Sequence, residues 1–64
     1  MKNNIEILIP TLNEEGNIEK VINELFGMTS RWPLQIIVVE SNSTDTTRII
    51  LKRLKSKYNF ELIF

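Results

Sequence analysis

The stretch 36–47, IIVVESNSTDTT, constrains this chain more than any other. Ile36, Ile37, Val38 and Val39 are consecutive β-branched apolar residues, and they predict a short strand buried on both faces, as inside a parallel sheet. From Glu40 through Thr47 no hydrophobe occurs, and a helical pattern starts directly afterwards at Ile50, Leu51 and Leu54. A buried strand leading into a polar turn and then a helix puts those polar side chains at the carboxyl end of a parallel strand. Open α/β sheets bind their ligands there.

The rest of the chain supplies partners for this unit. Residues 1–4 form a polar lead-in, and Ile5 to Ile9 predict a first strand that Pro10 ends, because proline cannot donate to a sheet ladder and holds Ile9 extended. Thr11, Leu12 and Asn13 then turn the chain into a helix. Thr11 and Glu14 have capping-box spacing and Asn13 is an alternative N-cap; either start puts Glu14 and Glu15 in the first turn, where acids suit the helix dipole. Ile18, Val21, Ile22 and Leu25 make one apolar stripe, and Gly27 supplies a stop. Trp32 precedes Pro33 in a loop at the amino end of the second strand. That loop is opposite the candidate site, so Trp32 is read as covering a sheet edge or helix end rather than stacking on a base.

A second helix over 44–58 places Thr47, Ile50, Leu51, Leu54 and Tyr58 on one face. Arg48, Lys52, Arg53, Lys55 and Lys57 take the other, a solvated face whose cations complement the negative pole of the helix. Residues 60–64 predict a third strand. The order β-α-β-α-β with short connections gives, by right-handed crossover, a three-stranded parallel sheet ordered 3-2-1 with both helices on one face. This is a Rossmann-like α/β half-domain.

Its other sheet face has nothing to cover it, and parallel sheets are stable when both faces are packed. The 64 residues therefore read as the N-terminal, incomplete part of a larger domain, expected to pair its hydrophobic third strand or bare face with the remainder of that domain or with another copy. The absence of cysteine and histidine removes disulfides, thiolate metal sites and the commonest neutral-pH base. Eight basic residues balance eight acidic ones, so charge gives no case for nucleic acid or an anionic membrane as partner. The apolar run 5–12 is short and broken by Glu6, which fits neither a signal peptide nor a spanning helix, so a cytoplasmic setting is expected.

Two polar corners meet at the carboxyl edge of strands one and two: Pro10 to Glu14, and Glu40 to Asp45. Each opens a helix whose free backbone N–H groups and dipole favour an anionic ligand. Neither contains G-x-G-x-x-G or G-x-x-x-x-G-K-[ST], so a dinucleotide fingerprint or P-loop is unsupported. Glu40 offers acceptors for a ribose hydroxyl or a base N–H, and its alternative role is to cap the second helix or bond the first loop.

IPTLNEEGNI followed by IIVVESNSTDTT resembles the opening of family 2 glycosyltransferases, GT-A fold enzymes with P-T-Y-N-E-E at the first corner and V-D-D-G-S-T-D-G-T at the second. The resemblance runs from Ile5 to the end of the chain. It implies an enzyme that moves a sugar from a nucleotide diphosphate donor to an acceptor hydroxyl. It also implies donor contacts from Pro10, Thr11, Leu12 and Glu14 in the first corner and from Glu40, Ser41 and Asn42 in the second. Leu12 stands for the family's tyrosine, Glu40 and Ser41 for its two aspartates, and Asn42 and Thr46 for glycines. Asn42 is the best non-glycine choice if that turn needs a positive φ. The family's D-x-D motif, which holds Mg²⁺ or Mn²⁺ on the donor diphosphate, is absent from these residues, as is its catalytic acid. The resemblance therefore assigns no catalytic or metal-binding residue here, and the 64 residues alone are expected to be inactive. The alternative reading is a non-catalytic module kept for assembly.

Overall fold

The computed structural model describes residues 5–64, so the polar lead-in at 1–4 lies outside the described residues. Its elements are β1 (Ile5–Thr11), α1 (Ile18–Met28), β2 (Leu34–Glu40), α2 (Thr47–Lys57) and β3 (Glu61–Ile63). The strands form one parallel sheet in the order β1-β2-β3, with Ile7 opposite Ile36, Ile9 opposite Val38, Thr11 opposite Glu40 and Val38 opposite Leu62. The expected architecture and strand order are both present.

The core gathers Ile18 and Ile22 from α1, Ile36 and Val38 from β2, Leu51 and Leu54 from α2, and Phe60. Both helices thus lie on the sheet face carrying Ile36 and Val38. At the far end Phe26 stacks on Tyr58 with ring centroids 4.5 Å apart, and the Tyr58 hydroxyl donates to Asn23 Oδ1 at 2.7 Å. These contacts join the carboxyl ends of the two helices.

Several details depart from the sequence reading. β2 is buried on one face only: Ile36, Val38 and Glu40 alternate beneath the helices, while Ile37 and Val39 are half-buried on the opposite side. Leu8, 64% exposed, and Ile63, 44% exposed, share that open side with Pro10. Burial along β2 therefore follows the two-residue pleat. Pro10 does not end β1, which continues to Thr11. The ladder explains this, because Ile5 N–H donates to Pro33 and the Thr11 carbonyl accepts from Ser41, so odd residues of β1 face β2. Pro10, an even residue on an edge strand, needs no donor on its outer side.

The first helix starts later than the capping pattern indicates. The Glu14 carbonyl accepts from the N–H groups of Asn17 and Ile18 at 3.0 and 2.8 Å, forming a turn before α1, so Glu14 and Glu15 belong to the loop. At its other end α1 runs through Gly27 to Met28, and the Thr29 hydroxyl donates to the Phe26 carbonyl. α2 begins at Thr47 instead of 44, and β3 is confined to Glu61–Ile63, with Phe60 turned into the core. Trp32 follows the end of α1, its N–H donating to the Met28 carbonyl, and is 53% exposed.

The basic face of α2 is partly engaged. Arg53 pairs with Glu19 of α1 at 2.8 Å, Lys55 Nζ donates to the Phe60 carbonyl at 2.9 Å, and Arg48 turns toward the carboxyl edge of the sheet. No helix among the described residues is long and apolar enough to cross a membrane.

Candidate functional site

At the carboxyl edge of β1 and β2 the two corners are joined by reciprocal hydrogen bonds. Successive N–H groups of the first corner donate across: Asn13 to Ser43 Oγ at 2.9 Å, Glu14 to Thr47 Oγ1 at 2.8 Å and Glu15 to Asp45 Oδ2 at 3.2 Å. The second corner answers. Thr44 N–H donates to Asn13 Oδ1 at 2.8 Å with Asp45 N–H longer at 3.4 Å, and Thr46 N–H donates to Glu15 Oε1 at 2.9 Å. The two accepting hydroxyls pass the chain on, Ser43 donating to Glu40 and Thr47 donating to Asp45. Each relay thus ends on a carboxylate, where charge-assisted hydrogen bonds are strongest.

Glu40 is the hub. Its residue surface is 2% exposed, and its oxygens accept from the Thr11 hydroxyl at 3.2 Å, the Ser43 N–H at 3.0 Å, the Ser43 hydroxyl, and Arg48 Nε at 2.9 Å. Burial by itself would raise its pKa. The hydrogen bonds from the Ser43 side chain and backbone, from Arg48 and from Thr11 outweigh burial and hold the carboxyl at about 2, well below its ordinary 4.5. The Asp45 carboxyl is also lowered: burial opposes the shift, and bonds from the Thr47 side chain and backbone and from Glu15 N–H overcome it.

Two residues of this assembly, Asn13 and Asn42, carry left-handed backbone at φ 53° and 48°. Asn13 uses its side-chain carbonyl to hold the amino end of α2, and the Asn42 carbonyl accepts from Arg48 Nη2 at 3.2 Å. Asparagine tolerates this region better than most residues, so Asn42 fills a position where glycine would also serve. Thr46 has φ −84°, so nothing at its position requires glycine.

The named site residues divide into two groups. Pro10, Leu12, Glu14, Ser41 and Asn42 are exposed on the rim, whereas Thr11 and Glu40 lie beneath it, each 2% exposed and bonded to one another. Of the two structural roles weighed for Glu40, capping α2 or bonding the first corner, the structure contains the second. The capping box is absent, since the Thr11 hydroxyl donates to Glu40 and the Glu14 N–H donates to Thr47 Oγ1. The N–H groups of Thr46 and Thr47 at the start of α2, and those of Thr44 and Asp45 just before it, are taken by side chains, which narrows the set of free N–H groups expected there.

Sequence reasoning assigned no site role to Ser43, Thr47, Asp45, Asn13, Glu15 or Arg48. Thr47 carried a usable signal, a hydroxyl within an otherwise apolar helical stripe. Arg48 carried none, since its neighbours on the helix are equally basic. A hollow of about 510 Å³ opens elsewhere, lined by Leu34, Gln35, Lys55, Asn59 and Glu61 at the amino end of β2. It contains none of the corner residues.

Parallel strands, helices on one face and a polar edge formed by two strand-to-helix turns define a Rossmann-like α/β unit with its candidate site at the carboxyl edge. The chain belongs to glycosyl transferase family 2, whose profile matches residues 6–64. It is 39% identical over 62 residues to the dolichyl N-acetyl-alpha-D-glucosaminyl phosphate 3-beta-D-2,3-diacetamido-2,3-dideoxy-beta-D-glucuronosyltransferase of Methanococcus voltae, covering 95% of this chain and 19% of that protein. It is 40% identical over 45 residues to the glucosyl-3-phosphoglycerate synthase of Mycobacterium tuberculosis, covering 70% of this chain and 14% of that protein. The chain therefore spans less than a fifth of the length of these relatives. No solved structure matches it.

The residues present do not fit the divalent cation that the family resemblance implies. Among the described residues no cluster of three histidine, cysteine, aspartate or glutamate side chains could hold one, and the Glu40 oxygens are committed to internal donors.

Proposed function

We propose that this chain forms the nucleotide-sugar-binding part of a glycosyltransferase that transfers a sugar from a nucleotide diphosphate donor to an acceptor hydroxyl. The observation that supports it is the joining of two corners at the carboxyl edge of adjacent parallel strands, with Ser41 tied to Thr11, Asn42 tied to Arg48, and Leu12 exposed beside them. The donor nucleoside rests against Pro10, Leu12 and Glu14 on one side and Ser41 and Asn42 on the other. Thr11 and Glu40 hold those residues in place from below. Family membership and the two relatives named above support the sugar chemistry.

Titration of the ¹⁵N-labelled protein with uridine, guanosine and thymidine diphosphates is the test. The amides of Leu12, Ser41 and Asn42 are expected to shift with at least one of them. Shifts confined to the hollow near Lys55 and Asn59, or none at millimolar nucleotide, would refute the proposal.

A second reading has its own support in the open sheet face, where Leu8, Pro10, Ile37, Val39 and Ile63 lie together by register. On that reading the unit serves assembly, with this face buried against another chain or another part of a longer one.

A further inference from the structure

Arg48 is the cation nearest the rim, and in a site for a diphosphate donor a half-exposed arginine invites assignment as a phosphate ligand. Its contacts point to different work. Nε donates to Glu40 Oε2 at 2.9 Å and Nη2 donates to Asn42 Oδ1 at 3.2 Å, so one guanidinium holds the residues on both sides of Ser41. The Phe64 ring covers the guanidinium, its centroid 4.8 Å from Cζ, and withdraws that face from water. On its remaining side Ser41 is fixed by its N–H, which donates to the Thr11 carbonyl at 2.9 Å. The segment Glu40-Ser41-Asn42 is thus held from β1 and from α2 at once.

We infer that Arg48 is a positioning residue for the donor corner: its forked contacts with Glu40 and Asn42 hold Asn42 in its left-handed conformation and set the direction in which Ser41 and Asn42 face the nucleotide. This rests on the reading of the corner as the donor site. The geometry needs a planar fork, because the bonds leave from two different nitrogens toward acceptors on two residues. Lysine carries the same charge on one nitrogen and cannot reproduce that spacing.

Arg48→Lys therefore separates positioning from charge. Without any ligand, ¹⁵N spectra should show the amides of Ser41, Asn42 and Ser43 displaced while Ile22 and Leu25 of α1 stay in place, and exchange of Ser41 N–H should speed up about 10-fold. Unchanged Ser41 and Asn42 amides would overturn the inference. Uridine and guanosine diphosphate should bind about 10-fold more weakly to Arg48→Lys, by the same factor at low and moderate salt. Affinity equal to that of the unaltered protein would show that charge alone suffices and would also overturn it. If the unaltered protein binds none of uridine, guanosine and thymidine diphosphate, the donor-site reading fails and the ligand-free spectra alone decide the role of Arg48. Should Arg48→Lys fail to fold, the Arg48 Nε–H of the unaltered protein decides: a resonance protected from water and lost in Glu40→Gln supports the inference, and one exchanging freely refutes it.

Discussion

Replacing Glu40 by glutamine keeps the shape of the side chain and removes its charge, which tests whether this residue holds the corners together. In the folded protein both oxygens accept, from Thr11, Ser43 twice and Arg48. A glutamine can keep its oxygen toward Ser43 N–H and Arg48 Nε only by turning its NH2 to the Thr11 and Ser43 hydroxyls, which must then accept instead of donate, and all four bonds lose the carboxylate charge. Two routes give the same magnitude. A carboxyl held at about 2 instead of 4.5 corresponds to about 3 kcal/mol of stability at neutral pH. Losing the charge in these bonds, each worth about 1.5 to 3 kcal/mol to a charged group against about 0.5 to 1.5 to a neutral one and less at the half-exposed Arg48, leads to a similar range. A chain of this size is expected to have a total stability on the order of 3 to 10 kcal/mol.

Urea unfolding followed by far-ultraviolet circular dichroism should therefore place Glu40→Gln about 3 kcal/mol below the unaltered protein, with an unchanged m-value. The pH dependence supplies an independent arm. Because the folded-state pKa is depressed, the contribution of Glu40 is fully present above 4.5 and is lost as pH falls toward about 2. The unaltered protein should lose stability across that window, and Glu40→Gln should lose less, retaining only the slope due to Asp45 and other acids. A loss below about 1 kcal/mol at neutral pH, with the acid slope unchanged, would refute the view of Glu40 as the hub.

Asn13 serves by its backbone conformation and by its side-chain carbonyl, and two substitutions separate these roles. Asn13→Gly keeps the left-handed backbone and loses the bond to the amino end of α2, while Asn13→Ala loses both; each should lower the urea midpoint, alanine by about 1 kcal/mol more than glycine, and equal effects would show the backbone conformation to be unimportant. On the open sheet face, Ile63→Lys puts a charge in the middle of the apolar surface: the unaltered chain is expected to associate with increasing concentration in sedimentation velocity, and the variant to remain monomeric or fail to assemble. A folded monomer at every concentration for the unaltered chain would remove the case for that face as an interface.

Much of the architecture was legible because it rests on periodic signals. The spacing of Ile18, Val21, Ile22 and Leu25 and of Ile50, Leu51 and Leu54 depends only on which residues can turn inward on a helix, and the structure buries or half-buries all of them except Val21, which is 38% exposed at the margin of its stripe. The β-branched run in β2 located the central strand and misstated its burial, since a continuous apolar run does not reveal whether its second face is covered. Pro10 was misread because its effect depends on which side of an edge strand the missing donor faces, and strand order decides that. The corners were located correctly while their internal wiring was not. Thr11, Glu14 and Glu15 have the local pattern of a helix cap, yet their hydrogen bonds go to residues about 30 positions away. Local capping preferences amount to about 1 kcal/mol, and a reciprocal network of charge-assisted bonds between two loops exceeds that.

That network also limits what the corner offers a ligand. Amides that could have cradled an anion, at Asn13, Glu14 and Glu15 on one side and from Thr44 to Thr47 on the other, are committed to Ser43, Thr47, Asp45, Asn13 and Glu15. Glu15 and Asp45 already place negative charge beside the amino end of α2, so its dipole is matched before any ligand arrives. The positive charge of Arg48 is likewise matched by Glu40. These commitments leave fewer groups for a diphosphate, whereas an uncharged nucleoside needs only a surface with a few polar groups and one apolar face, the part proposed above for Leu12, Ser41 and Asn42. On the proposed reading the work divides by chemistry: this unit recognises the nucleoside, and the charge of the leaving diphosphate is neutralised by groups contributed from beyond these corners.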